Sequence, residues 1–87
     1  MAFDGKALNR LYDWWQVNGN PDIHYWLTYD GCLTFFRKGQ LPSIARIEYR
    51  KNGTCVLSYD AKDDPFTDQE RQELEKFVRA NNAKFNN

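Results

Sequence analysis

The sequence predicts a small α+β domain, a two-layer sandwich in which two helices pack on one face of a four-stranded antiparallel sheet. Three observations carry this prediction: an amphipathic stripe near each end of the chain, four strand-like runs between them, and short turn-forming connections. Short connections favour pairing of consecutive strands, which makes the sheet a meander. We therefore expect the order α-β-β-β-β-α in one domain over residues 1–87, with a frayed tail at 82–87.

The first helix has clear start and stop signals. Asp4 can cap its N-terminus, and Phe3 and Leu8 are spaced as a hydrophobic staple. The apolar residues that follow have the spacing i, i+3, i+4, i+7 and form one stripe of Leu8, Leu11, Tyr12 and Trp15. Gly19 and Pro21 then predict its end.

The middle of the chain is predicted to contain four strands, at residues 23–29, 32–38, 43–51 and 54–59. Asp30-Gly31 predicts a two-residue type I′ turn between the first pair, and Asn52-Gly53 predicts a hairpin between the last pair. These signals define two hairpins, and the intervening loop joins them into one meander.

The second helix is predicted from a capping box, in which Thr67 and Glu70 bond reciprocally to each other's backbone. A narrow apolar stripe follows, formed by Leu74, Phe77 and Val78. An alternative start places Asp64 at the cap and Pro65 at the first helical position. In either case the helix is expected to end near residues 81–82.

Strand alternation sorts the side chains of the sheet into a core face and an open face. The core set is Ile23, Tyr25, Leu27, Tyr29, Leu33, Phe35, Ala45, Ile47, Tyr49, Cys55, Leu57 and Tyr59. Ile44 alternates away from that set. The open face is expected to show His24, Trp26, Thr28, Thr34, Phe36, Lys38, Arg46, Glu48, Arg50 and Val56. Phe36 is assigned outward because Leu33 and Phe35 form the wholly apolar set of their strand.

The open face carries residues that a small core does not need. Trp26, Phe36, Arg46 and Arg50, with His24 beside them, belong largely to the residue types enriched at binding hot spots. Aromatic side chains flanked by basic ones also suit stacking of single-stranded bases. A third interpretation is structural: Trp26 and Phe36 form a cross-strand pair that stabilises the first hairpin.

Charge is unevenly distributed although 12 basic and 12 acidic residues balance overall. Residues 37–51 hold five basic side chains and one acidic, a net charge of +4, and residues 60–76 hold seven acidic and three basic, a net charge of −4. We therefore expect a dipolar molecule. Asp63, Asp64 and Glu70 then become a second candidate surface, one that docks on a basic groove of a partner.

Residues for catalysis are sparse. His24 is the single histidine, and no nucleophile or acid is marked as its partner. Cys32 and Cys55 lack redox or zinc spacing, and residues 60–64 do not fit a calcium loop. We expect no enzyme activity, no cofactor and no metal.

The sequence-based hypothesis is a non-catalytic protein-binding module, a small inhibitor or adaptor, present as a monomer or homodimer. The alternative is a single-stranded nucleic-acid-binding module that uses the same sheet face. Residues 1–6 contain no apolar run, and no stretch has the length of a membrane span, so we expect a cytoplasmic protein. Size and compactness alone suggest a product of a phage or mobile element.

Overall fold

The computed structural model describes residues 3–83 and contains two helices and four strands. In chain order these are α1 (Gly5–Asn18), β1 (Ile23–Leu27), β2 (Cys32–Arg37), β3 (Ser43–Tyr49), β4 (Cys55–Tyr59) and α2 (Asp68–Asn82). The strands form one antiparallel sheet in the order β1-β2-β3-β4. The predicted fold class and meander topology are confirmed. Within residues 3–83, neither helix is long and apolar enough to cross a membrane.

Both helix starts follow their sequence signals. The Asp4 side chain accepts the Ala7 N–H at 2.9 Å at the start of α1. At α2, the Thr67 hydroxyl accepts the Glu70 N–H at 3.1 Å, and the Glu70 carboxylate accepts the Thr67 N–H at 2.7 Å. The capping box is confirmed, and the alternative start at Asp64 is wrong because Asp64 lies before the first turn and accepts the Phe66 N–H instead.

The core lies between the two helices and one face of the sheet. Its centre is Phe35 on β2, whose ring centroid lies 5.1 Å from that of Trp15 on α1 and 6.0 Å from that of Phe66. Phe66 precedes α2 in a loop and is buried, although no periodic pattern marked it as core. The other buried apolar side chains are Phe3, Ala7, Leu11, Ile23, Leu33, Ile44, Ala45, Ile47, Cys55, Leu74 and Phe77.

The first hairpin turn differs from the predicted type I′ turn. Gly31 has φ of 89°, but among residues 3–83 no residue other than glycine has positive φ, so Asp30 cannot occupy a type I′ position. Gly31 donates its N–H to the Thr28 carbonyl and Thr28 donates to the Cys32 carbonyl, which closes a three-residue loop. The longer loop ends β1 at Leu27 and leaves Tyr29 fully exposed.

The burial of several sheet residues differs from the prediction. The predicted core set includes Leu27, Tyr29 and Tyr59, but these are 46%, 105% and 38% exposed. Ile44 was assigned away from the core and is buried, because the pairing of β2 with β3 shifts between Phe35 and Phe36. A bulge of this kind adds one residue to a strand and reverses the face of its neighbour.

The end of α2 is tied to the edge of the sheet. The Asn82 carboxamide accepts the Cys55 N–H at 2.7 Å and donates to the Cys55 carbonyl at 3.1 Å. The predicted end of the helix near residues 81–82 is confirmed, and the side-chain amide of Asn82 takes the place of a strand partner for Cys55. Residues 84–87 of the predicted tail lie outside the described part of the chain.

The pKa of Tyr59 predicts how the free energy of unfolding depends on pH. Burial, and then the nearby Glu75 and Asp64 carboxylates, raise the pKa of Tyr59 to about 12 from 10.0. The unfolded chain therefore releases this proton first, and the free energy of unfolding should fall as the pH rises from about 10 to 12. Urea unfolding should show a shallower decline for Tyr59→Phe than for the wild type. Parallel curves would refute this assignment.

Candidate functional site

Trp26 and Phe36 form a stacked aromatic pair on the open face. Trp26 lies opposite Thr34 in the ladder and His24 lies opposite Phe36, so the two rings are diagonal neighbours. Their centroids are 4.3 Å apart and their planes differ by 12°. Trp26 remains 49% exposed, and Phe36 is half-buried. Phe36 thus points outward as predicted, away from the core that Phe35 fills.

A shallow groove runs beside this pair. Its walls come from the two rings, from His24 on β1, and from the loop after β2, which contributes Lys38 and Leu41. Leu41 is 92% exposed, an unusual state for a leucine, and sequence reasoning did not select it because it lies in a loop without periodicity. The groove combines an apolar floor with a polar and basic rim.

The centre of the open face is covered by its neighbours. Thr34 lies between Trp26 and Arg46 in the register and is nevertheless buried, since both flanking side chains are longer. Arg46 donates from Nε to the Asp60 carboxylate at 3.0 Å, and Ser43 donates to the same oxygen at 2.7 Å. Arg46 is thus held in one orientation at the margin of the aromatic pair.

The two oppositely charged segments of the chain are in contact through ion pairs. The acidic loop after β4 folds against the basic strands, where Arg37 pairs with Asp63 at 3.2 Å and Arg46 pairs with Asp60. Each pair neutralises one charge of either sign locally. At these two pairs, side chains of the basic segment and of the acidic segment therefore meet at the sheet.

Two of the three predicted acidic contact residues serve the fold. Glu70 is 1% exposed and accepts the N–H groups of Asn20 and Thr67, both at 2.7 Å, so its assignment to a contact surface is wrong. Asp64 accepts from Arg71 at 2.9 Å and is half-buried. Asp63 stays exposed, yet its carboxylate already faces Arg37.

The exposed side of α2 is balanced and does not form an acidic surface. Three ion pairs lie along it, at spacings of three or four residues: Asp68 with Arg71, Glu73 with Lys76, and Glu75 with Arg79. Such exposed pairs contribute little to stability and are typical of an ordinary solvated helix. The helix gives no support to the second candidate surface.

Arg50 lies apart from the aromatic pair. It follows β3 in the second hairpin turn and lines a depression with Tyr29 and Asp30. The register pairs Cys32 with Glu48 at that end of the sheet and Phe36 with Ser43 at the other. The structure therefore brings His24, Trp26, Phe36 and Arg46 to one region and leaves Arg50 at the opposite end.

The groups capable of chemistry are dispersed. Among residues 3–83, the side chain of His24 makes no hydrogen bond or ion pair. Burial, and then the nearby Asp30 and Glu48, raise the pKa of the Cys32 thiol, which disfavours the thiolate nucleophile. Within the same residues, no three His, Cys, Asp or Glu side chains lie close enough to hold a metal ion.

Comparisons of this chain with protein-family models, curated proteins and solved structures give no match. We call Trp26, Phe36 and Leu41, with His24 and Lys38 at their rim, the aromatic patch.

Proposed function

We propose that this chain is a non-catalytic protein-binding module, a small inhibitor or adaptor, that docks through the aromatic patch. The observation that carries the proposal is the stacked pair of Trp26 and Phe36, which lies on the face opposite the core. The core is already complete without it, since Phe35 and Trp15 fill the space between the sheet and the helices. The pair is therefore available to a partner.

The composition of the aromatic patch suits a protein partner. Tryptophan offers a large rigid surface with little entropy to lose, and apolar centres with polar rims are typical of hot spots. Leu41 and Trp26 together leave a substantial apolar area in water. Arg46, already oriented by Asp60, can add a positioned hydrogen-bond donor at the margin.

Single-stranded nucleic acid is the second candidate, supported by the outer ring faces of the stack and by Lys38 beside it. Binding of this kind falls steeply with salt, with a log–log slope of about −0.7 per phosphate contacted. Two arginines of the region are already paired with carboxylates, which lowers the positive potential that phosphates need. A protein partner is therefore the first candidate.

The proposal predicts that Trp26→Ala loses partner capture. With immobilised wild-type protein and an extract of its native host, we expect a specific protein to be retained and its affinity to fall at least about tenfold in the variant. Tyr29→Ala is the control, because it removes an exposed aromatic ring that lies outside the aromatic patch. Equal capture by Trp26→Ala and the wild type would contradict the proposal.

A further inference from the structure

The two edges of the sheet differ in how their backbone is satisfied. At the β4 edge, the Asn82 carboxamide bonds both the N–H and the carbonyl of Cys55, and α2 packs alongside. At the β1 edge, Ile23 donates its N–H to the Asn20 carbonyl. No other group of residues 3–83 bonds to the outward side of β1. One edge is thus covered and the other is open.

The ladder shows which groups of β1 face outward. Thr28 donates to the Cys32 carbonyl at 2.8 Å and Lys38 donates to the Asp22 carbonyl at 2.7 Å, so even-numbered residues of this strand face β2. Odd-numbered residues face the other way because the N–H and C=O of successive residues alternate in direction. Tyr25 and Leu27 therefore present both backbone groups, and Ile23 its carbonyl, to an incoming strand.

The side chains at this edge do not protect it. Natural edge strands are commonly guarded by lysine, proline, a bulge or short length. The five residues of β1, Ile23–Leu27, contain neither lysine nor proline, and the pairing shift in this sheet lies between β2 and β3. Leu27 is 46% exposed and Trp26 is 49% exposed at the same edge. Apolar side chains beside unpaired backbone groups favour addition of another strand.

We propose that the occupant of this edge is β1 of a second copy of the chain, paired antiparallel so that the two sheets become continuous. The register in which Tyr25 faces Tyr25 of the second copy overlaps all five residues of both strands. In it the open Leu27 N–H meets the open Ile23 carbonyl of the other copy. Each outward donor of Tyr25 and Leu27 then finds an acceptor that has no partner within one copy.

The side chains fit the same register. On the core face, Leu27 lies opposite Ile23 of the second copy, which is 5% exposed, so the incoming strand covers part of an exposed leucine. On the open face, Trp26 lies beside His24 of the second copy, and the two aromatic patches become contiguous. The net charge of zero means that no net-charge repulsion opposes pairing of two copies. These features argue for the chain itself as the partner strand.

Sedimentation tests the dimer. The interface between two five-residue strands makes few hydrogen bonds, so the dimer should be weak. We therefore expect the sedimenting mass of the wild type to rise from that of one chain towards that of two as the protein concentration increases. Leu27→Lys should remain a monomer, since it places a charge at the seam. Leu41→Lys makes the same change on the aromatic patch away from the edge and should still dimerise. The proposal would be overturned by a wild type that stays monomeric, even if another protein binds at this edge. A Leu27→Lys variant that still dimerises would overturn it as well.

A mixed disulfide tests the register. In a Cys32→Ser background, His24→Cys and Trp26→Cys proteins should cross-link when mixed, because these positions form a non-hydrogen-bonded pair with Cα atoms about 4.5 Å apart. Neither protein should cross-link with itself, since each position lies about 7–8 Å from its own copy. Equal self-linking and mixed linking would reject this seam. The dimer and the proposed function can fail separately. Leu27→Lys changes the β1 edge and leaves the aromatic patch intact, so it tests dimerisation without testing partner binding.

Discussion

Replacing Glu70 by alanine is expected to lower the free energy of unfolding by about 3 kcal/mol, measured by urea denaturation. The carboxylate accepts the Thr67 N–H at the N-cap of α2 and the Asn20 N–H between α1 and β1. Both bonds are 2.7 Å long and the side chain is almost wholly buried. Alanine leaves two donors without an acceptor and removes half of the capping box.

Two further variants separate this role from charge in general. Glu70→Gln keeps one acceptor oxygen and should lose about half as much stability, because its amide nitrogen cannot accept the second N–H. Glu75→Ala removes an exposed carboxylate of the same helix and should change stability by less than about 0.5 kcal/mol. A Glu70→Ala protein as stable as Glu75→Ala would show that the buried bridge contributes nothing.

Replacing Phe35 by alanine is expected to cost about 3–5 kcal/mol. Its ring lies at the centre of the aromatic core, with centroids 5.1 Å from Trp15, 5.9 Å from Tyr25 and 6.0 Å from Phe66. Removing the ring leaves a cavity between the sheet and the helix layer. The loss should appear as a lower urea midpoint with little change in the slope of the transition.

Phe35→Leu is the companion variant, because it retains most of the volume and should cost less than half as much. A loss of under about 1.5 kcal/mol for Phe35→Ala would mean that the core closes around the vacated space. It would also contradict the central place given to this ring.

Much of the fold is encoded in local spacing, and that part is predictable from the sequence. Asp4 at the first cap and the box of Thr67 and Glu70 depend on residues three apart. The positions of both hairpins follow from Gly31 and Gly53, although the loops are one residue longer than the type I′ signal implies. Local chemistry therefore specified the element order but not the exact turn geometry.

The features that sequence reasoning missed depend on contacts distant along the chain. The charge of Glu70 favours a contact surface when only the sequence is considered. Its hydrogen bond from the Asn20 N–H joins residues that are 50 positions apart, which the sequence does not indicate. The bridge from Asn82 to Cys55 spans 27 positions. The burial of Ile44 depends on a shift in the pairing of β2 with β3, which the residue types do not predict. Periodicity cannot reveal such long-range pairings.

Only part of the candidate site is predictable from the sequence, because strand alternation gives the face of a residue and not its long-range neighbours. Alternation placed Trp26 and Phe36 on one face, and their stacking follows from diagonal positions on neighbouring strands. Arg50 was grouped with them because alternation gives the face of a residue without its position along the sheet. Leu41 was missed because loop residues have no periodicity, yet it is the most exposed apolar member of the aromatic patch.

The central claim is that the stacked pair is surplus to the fold, and the urea unfolding of the double variant Trp26→Ala/Phe36→Ala tests it most directly. Both rings are partly in water, so we predict a loss of only about 1–2 kcal/mol, clearly below that of Phe35→Ala. A loss equal to or larger than that of Phe35→Ala would contradict the claim, because the pair would then be a second core and not a surface for a partner.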